Sequence, residues 1–280
     1  MSDDPDPTLQ DLHRFAVVLA AGAALRVSTA GAVAGVGAEV GSKSTPTDLV
    51  TATDRATERW LVARIAEQRP GDAILGEEGG PRPGTSGVRW LLDPIDGTVN
   101  FVLGLPQYAV SVAAELDGVV VAGAVANPVS GELFHAFQGG GAWLRTSAGG
   151  TTRDLALHGP RSVPLPRAVV ATGFGYDPAR RARQVAVVAP MLPRVADLRR
   201  LGSAALDLCF VAAGRLDAYF EAGLNPWDHA AGGLVAREAG CVVVGARGEP
   251  ERLLVAAGAD LADDLMALLT DLGADTVTDG

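Results

Sequence analysis

Twelve residues constrain this chain most: Trp90-Leu91-Leu92-Asp93-Pro94-Ile95-Asp96-Gly97-Thr98-Val99-Asn100-Phe101. Val88 to Leu92 reads as a short buried strand, apolar and preceded by Gly/Pro-rich sequence. Pro94 lacks an N–H and is expected to stop the ladder. Gly97 relaxes the backbone, and Thr98 is expected to cap a helix. Asp93 and Asp96 then lie where a strand ends and a loop turns into a helix. Open α/β sheets place ligands at such strand ends. A helix start there also offers N–H groups to a phosphate, here those of Gly97 and Thr98.

Two further stretches carry matching chemistry. Ile74-Leu75-Gly76-Glu77-Glu78-Gly79-Gly80 ends an apolar run in adjacent carboxylates. On a strand or turn those two side chains diverge, so one of them is expected to face the site. Asn225-Pro226-Trp227-Asp228-His229-Ala230-Ala231-Gly232 sets a carboxylate before an Ala-rich helical stretch. Oxygen donors at the ends of three segments suit Mg²⁺, which binds few carboxylates, keeps waters and completes its shell with substrate phosphate. Each residue also has a plainer reading: solvated turn carboxylates for Asp93 and Asp96, a strand-end charge for Glu77, helix caps for Asp228, Thr98 and Asp54.

Composition narrows the field. At 48% hydrophobic residues, 280 residues bury a substantial core, which argues against disorder beyond the termini. The net charge of −10 makes nucleic acid a poor partner, since that needs clustered Lys and Arg. Cys209 and Cys241 sit in apolar stretches and read as small core residues in a reducing compartment. The apolar run Phe15 to Leu25 stops at Arg26, short of a membrane span, and acidic residues precede it. No membrane and a cytoplasmic location are therefore expected. No Walker motif, G-x-S-x-G, H-E-x-x-H or C-x-x-C pair occurs, and His13, His135, His158 and His229 are scattered. With no covalent nucleophile in view, direct attack by water is expected.

In chain order, helices are expected from Leu9 to about Ala30 and from Arg55 to Gln68, the second capped by Thr53 or Asp54. The stretch between them, with Pro46, reads as loop. Ala73–Gly76 is a strand delivering Glu77, and Pro81–Gly87 a loop able to act as a flap. Strands follow at about 109–116, 119–126, 132–137 and 142–144, with Asp117-Gly118 a hairpin turn. A lobe boundary is expected around Ser147–Pro166. Beyond it, strands at 168–172, 217–221, 241–245 and 253–257 alternate with helices at 179–196, 204–213, 228–239 and 260–272, an α/β pattern.

The blocks GEE, DPIDGT-x-NF and WD-x-AAG, in that order, resemble the inositol monophosphatase family of Mg²⁺-dependent, lithium-sensitive phosphatases. The likeness extends from about Lys43 to the C-terminal region. It implies a mixed α/β, two-lobed, layered α/β/α/β/α sandwich of the sugar-phosphatase type. Residues 1–150 would form an N-terminal α+β lobe carrying the motifs, and residues 151–280 a C-terminal α/β lobe completing the site. It implies two or three Mg²⁺ ions on Glu77, Asp93, the Ile95 carbonyl, Asp96 and Asp228, with Asp93 bridging. Thr98 and Asp54 would activate water, with Lys43 nearby. Gly202, Ser203, Ala204, Glu221 and Asp228 would contact substrate hydroxyls beside Gly97 and Thr98. The family usually has an apolar residue where His229 stands. A homodimer and lithium inhibition are implied by the resemblance alone.

The expected reaction is hydrolysis of inositol 1-phosphate, a small phosphorylated polyol, by metal-activated water. Histidinol phosphate is the harder rival, since its recognition could rest on one acidic residue such as Glu221. Fructose 1,6-bisphosphate and 3′-phosphoadenosine 5′-phosphate would need an extra basic pocket. Only Arg215 lies between Gly202 and Glu221, with Arg199 and Arg200 just before. A catalytically idle scaffold or interaction protein is the alternative of a different class.

Overall fold

The structure is a computed structural model that describes residues 7–34, 40–42, 49–245 and 253–274. Helix α1 (Pro7–Ala34) is followed by a hairpin of β1 (Val40–Ser42) and β2 (Leu49–Thr51), then α2 (Ala52–Gln68). Next come β3 (Ala73–Gly76), β4 (Gly80–Arg82), β5 (Val88–Asp96) and the short α3 (Thr98–Leu103). The meander is β6 (Ala109–Leu116), β7 (Val119–Ala126), β8 (Leu133–Phe137), β9 (Gly141–Ala148) and β10 (Thr151–Ala156). The remainder runs β11 (Val169–Thr172), α4 (Pro178–Met191), β12 (Asp197–Arg199), α5 (Ala204–Ala212) and β13 (Ala218–Ala222). It ends with α6 (Pro226–Glu238), β14 (Val242–Val244), β15 (Leu253–Ala257) and α7 (Ala259–Asp271).

Among the described residues, one sheet has the order β10-β9-β8-β7-β6-β5-β3-β4 and a second β12-β11-β13-β15-β14. The first is antiparallel except where β3 runs parallel to β5, and the second mixes both senses. Side-chain alternation along the strands assigns the layers. Trp90 and Leu92 face α1 and α2, while Leu91 between them faces α5 and α6. Likewise Tyr219 and Ala256 face α5 and α6, while Phe220, Val255 and Ala257 face α4 and α7. The result is the expected α/β/α/β/α sandwich.

Helix α1 contains a stretch, Thr8–Ala30, long and apolar enough to cross a membrane, longer than the run ending at Arg26 suggested. One face of it, with Leu12, Ala16, Leu19, Ala20, Ala23 and Val27, is buried on the first sheet. Cys209 and Cys241 are free and buried.

Several boundaries differ from expectation for local reasons. The cap of α2 is Thr51, and neither Thr53 nor Asp54. Asp54 instead sits at the third helical position and accepts the Thr51 N–H at 2.9 Å, a capping box. Pro94 does not end β5: the ladder breaks its register after Asp93 and pairs again at Asp96 with Ala109. Gly97, at φ +92°, occupies the cap of α3, so Thr98 is its first helical residue. Helix α4 stops at Met191 rather than Ala196, and Asp197–Arg199 becomes an edge strand. Strands β1, β2, β4 and β10 lie in stretches that read as loop.

Candidate active site

The end of β5, the turn after β3, and the starts of α3, α5 and α6 converge on one cavity of about 550 Å³. Its lining includes Glu77, Asp93, Ile95, Asp96, Gly97, Thr98, Gly202, Ser203, Ala204, Glu221 and Asp228. Residues from three sequence blocks are thus brought to one place. Asp54 lies behind this surface: the Thr98 hydroxyl donates to Asp54 Oδ1 at 3.2 Å and to the Ile95 carbonyl at 3.0 Å. Lys43 falls outside the described residues. His229 is buried, does not line the cavity, and its Nδ1 has no hydrogen-bond partner. Burial, then Arg237, pushes its pKa down to about 4.

Each of three aspartates has one oxygen tied to a nearby N–H. Asp93 Oδ1 accepts from Ile95 at 2.9 Å. Asp96 Oδ2 accepts the Ser203 hydroxyl at 2.5 Å and the Ala205 N–H at 2.7 Å. Asp228 Oδ2 accepts the Asn225 N–H at 2.7 Å, so the cap reading of Asp228 and its place in the cavity coexist. Charge has nowhere to go in this group. Burial raises Asp93 well above the usual carboxylate range, and Glu77, Asp96 and Asp228 raise it further. Burial also drives Asp228 well up, with Asp96 and Glu77 adding to it. Asp96 rises to about 6, burial outweighing the hydrogen bonds from Ser203 and the start of α5. Asp54 rises through burial, opposed by its bonds from Thr51. Glu221 reaches about 7 through burial, despite the Tyr219 hydroxyl donating to it at 2.6 Å.

This donor set fits a hard cation. It is all oxygen, buried and mutually repelling. The Asp93 and Glu77 carboxyls stand close enough to raise the Asp93 pKa, an arrangement relieved by a shared proton or a cation between them. Among the described residues, no three or more His, Cys, Asp or Glu side chains stand close enough to hold a metal by themselves. An incomplete cage is what Mg²⁺ accepts, since water and phosphate supply the other ligands.

The sequence hid several supports. Glu58 of α2, almost fully buried, accepts the N–H groups of Glu78 and Gly79 at 2.7 and 2.6 Å and holds the turn carrying Glu77. Ser111 of β6 pairs opposite Asp93 and donates to the Trp227 carbonyl at 3.1 Å, tying β6, and β5 through its pairing, to the start of α6. Asn100 donates to the carbonyls of Gln107 and Leu201, at 2.6 and 2.8 Å, and fixes the Gly202 loop. A polar Ser111 inside the apolar run Ala109–Leu116 was a usable signal, as was Glu58 one helical turn after Asp54.

The far wall comes from the Gly173–Asp177 loop, Arg180, Arg200 and Asp207. The loop expected as a flap, 81–87, is absent from the lining; Thr85 and Ser86 instead donate to the Gly71 carbonyl at 2.7 and 3.0 Å. Arg215 is paired with Glu132 and stacked on Phe134 and Phe210, and Arg199 is paired with Asp197.

The sequence model of the inositol monophosphatase family matches residues 8–273. The chain belongs to the inositol monophosphatase family. By that membership it is a phosphoric monoester hydrolase. The inositol-1-monophosphatase of Mycobacterium leprae is 52% identical over 242 residues, 83% of this chain and 82% of the relative. A protein of Pasteurella multocida named Nus factor SuhB is 42% identical over 198 residues, 70% of this chain and 71% of its own length. The solved structure of Mycobacterium tuberculosis SuhB superposes with a TM-score of 0.79 at 43% identity, covering 96% of this chain and 98% of that one.

Proposed function

We infer that this family member hydrolyses the phosphate ester of a polyol, inositol 1-phosphate first among them, in a Mg²⁺-dependent reaction. One observation carries the reading. Glu77, Asp93, Ile95, Asp96 and Asp228 line one cavity, and the Thr98–Asp54 pair stands at its edge. Asp93, Asp96 and Asp228 each keep one oxygen anchored, leaving the other for a cation; Glu77 and the Ile95 carbonyl complete the set. When bound, Mg²⁺ neutralises the phosphate and makes water a stronger nucleophile.

The chain's own groups do the rest. The single Thr98 proton lies between two acceptors, Asp54 and the Ile95 carbonyl. Passing it to Asp54 lets Thr98 take one from the attacking water. A buried carboxyl with a raised pKa is a better proton acceptor near neutrality than an exposed one. The N–H groups of Gly97 and Thr98 hold phosphate oxygens. Gly97 suits this because its φ of +92° is a conformation that glycine takes freely. The starts of α5 and β13's end, with Gly202, Ser203, Ala204 and Glu221, receive the hydroxyls. The alkoxide leaves with a proton from solvent.

A bisphosphate substrate has one observation behind it: Arg180 and Arg200 both line the cavity. Arg200, however, already offsets negative charge on Asp96, Asp207 and Glu221. The relatives named Nus factor point to a partner role beside catalysis; the complete donor set favours catalysis here.

The test is phosphate release from inositol 1-phosphate, histidinol phosphate and fructose 1,6-bisphosphate, with Mg²⁺ and with chelator. Mg²⁺-dependent release led by inositol 1-phosphate is expected, with inhibition by Li⁺. Preference for either other ester replaces the substrate, and equal release under chelator sinks the metal mechanism.

A further inference from the structure

Asp207 is a carboxylate that the metal-site reading does not use. It lies four residues after Ser203 on α5, and its N–H donates to the Ser203 carbonyl at 3.0 Å, so both side chains share one helix face. It is 1% exposed and lines the cavity, yet its Oδ1 has no hydrogen-bond partner. A buried acceptor without a donor is costly, and folds rarely keep one without cause. Nor is the helix free to swing it elsewhere: α5 is buried along its whole length between the two sheets.

Its neighbours say what would satisfy it. Glu221, at the end of β13, lines the same wall, and Asp207 feels both Glu221 and Asp96 as like charges. Gly173 clears the space for Glu221, since a Cβ there would overlap its carboxylate. One Glu221 oxygen already accepts from Tyr219. At Asp207 and Glu221 this wall therefore presents acceptors side by side. Arg200 supplies positive charge nearby and argues against a cationic ligand group.

We propose that Asp207 is a specificity-determining residue, accepting a hydrogen bond from a neutral hydroxyl of the substrate's polyol part beside Glu221. The inference rests on the polyol-phosphate reading and deepens it: Asp207 selects the alcohol and leaves phosphate chemistry to the opposite wall. Its cost to the fold is offset only when a hydroxyl arrives.

The experiment compares wild type with Asp207→Leu, close in size and apolar, by Michaelis curves with Mg²⁺. The esters are inositol 1-phosphate, glycerol 2-phosphate and p-nitrophenyl phosphate, and thermal midpoints are recorded without substrate. The KM for inositol 1-phosphate is expected to rise about tenfold more than that for p-nitrophenyl phosphate, the loss of one buried hydrogen bond. The kcat values should change less than KM, and the substrate-free midpoint should hold or rise. Equal KM shifts on all three esters, or none, overturn the proposal. Asp207→Asn, which keeps the shape, should move the same ratio in the same direction by less, and decides the matter if the leucine variant does not fold. A wild type that cleaves glycerol 2-phosphate but not inositol 1-phosphate refutes the inositol reading alone, and the variant's glycerol 2-phosphate KM then decides the role of Asp207. A wild type that cleaves no hydroxyl-bearing ester refutes both.

Discussion

The two walls of the cavity are built in opposite ways. The wall from the first sheet is dense and pre-tied: Asp93 to Ile95, Thr98 to Asp54 and Ile95, and the Glu77 turn to Glu58. The wall from α4, α5 and β13 is assembled from separate segments, 173–180, 200–207 and 221–224. It keeps groups in reserve, with Asp207 Oδ1 unpartnered. The difference teaches a division of labour. Phosphoryl chemistry needs groups fixed before substrate arrives, whereas selection of an alcohol needs acceptors that the alcohol itself completes.

The comparison breaks most visibly at Asp93. Asp93→Asn is expected to cut kcat/KM by about a thousandfold or more, the several kcal/mol that a metal contributes. In chelator its thermal midpoint should hold or rise, because a repelling buried carboxylate is gone. A phosphate-release assay with parallel melts checks both; near-normal activity would place the chemistry elsewhere. Thr98→Ala should lower kcat about a hundredfold through lost proton transfer, with KM little changed. A change confined to KM would make Thr98 a phosphate contact only.

Glu58 probes whether the first wall is held from behind. Glu58→Ala leaves the Glu78 and Gly79 N–H groups without their acceptor and should cost about 2 kcal/mol of stability by denaturant midpoint. Activity should fall as well, because the turn carries Glu77. Unchanged stability would mean that the turn holds itself.

The pH response also sharpens the contrast. Folding raises Glu221 to about 7 and Asp96 to about 6, above their unfolded values. The folded chain then binds more protons, so stability is fuller at lower pH and is lost as pH rises through those values. Between pH 6.5 and 8 in chelator, these two groups together are expected to withdraw about 1 kcal/mol, read from the thermal midpoint. His13 and His229, near 4 when folded and near 6.5 when unfolded, act the opposite way and offset part of that loss, by about 0.4 kcal/mol each over the same window. Mg²⁺ should shrink the Asp96 share and leave that of Glu221; a wild-type curve in chelator parallel to that of Glu221→Gln contradicts the burial argument. The smallest effect is expected at Arg180 on the second wall. Arg180→Ala should raise KM roughly threefold, less so in high salt, by weakening attraction of the anionic substrate. An effect insensitive to salt would instead indicate direct contact.

Much of this protein was determined by short-range sequence. Asp93, Asp96 and Thr98 lie within six residues, so a strand end and one turn suffice to place them. The short apolar runs Val88–Leu92 and Leu253–Ala257 read as strands, and both are buried on their two faces, as expected where a strand is covered on each side. The same locality misled where two local signals competed, as with Thr51 against Thr53 for the cap of α2. What only the tertiary structure decided spans long separations. Glu58 finds the Glu77 turn, Ser111 the Trp227 carbonyl, and Ser203 the carboxylate of Asp96 107 residues away. Asp207 reads in sequence as an ordinary helix residue. Burial between two sheets turned it into an acceptor awaiting a donor, because desolvation depends on what the rest of the chain places around a group.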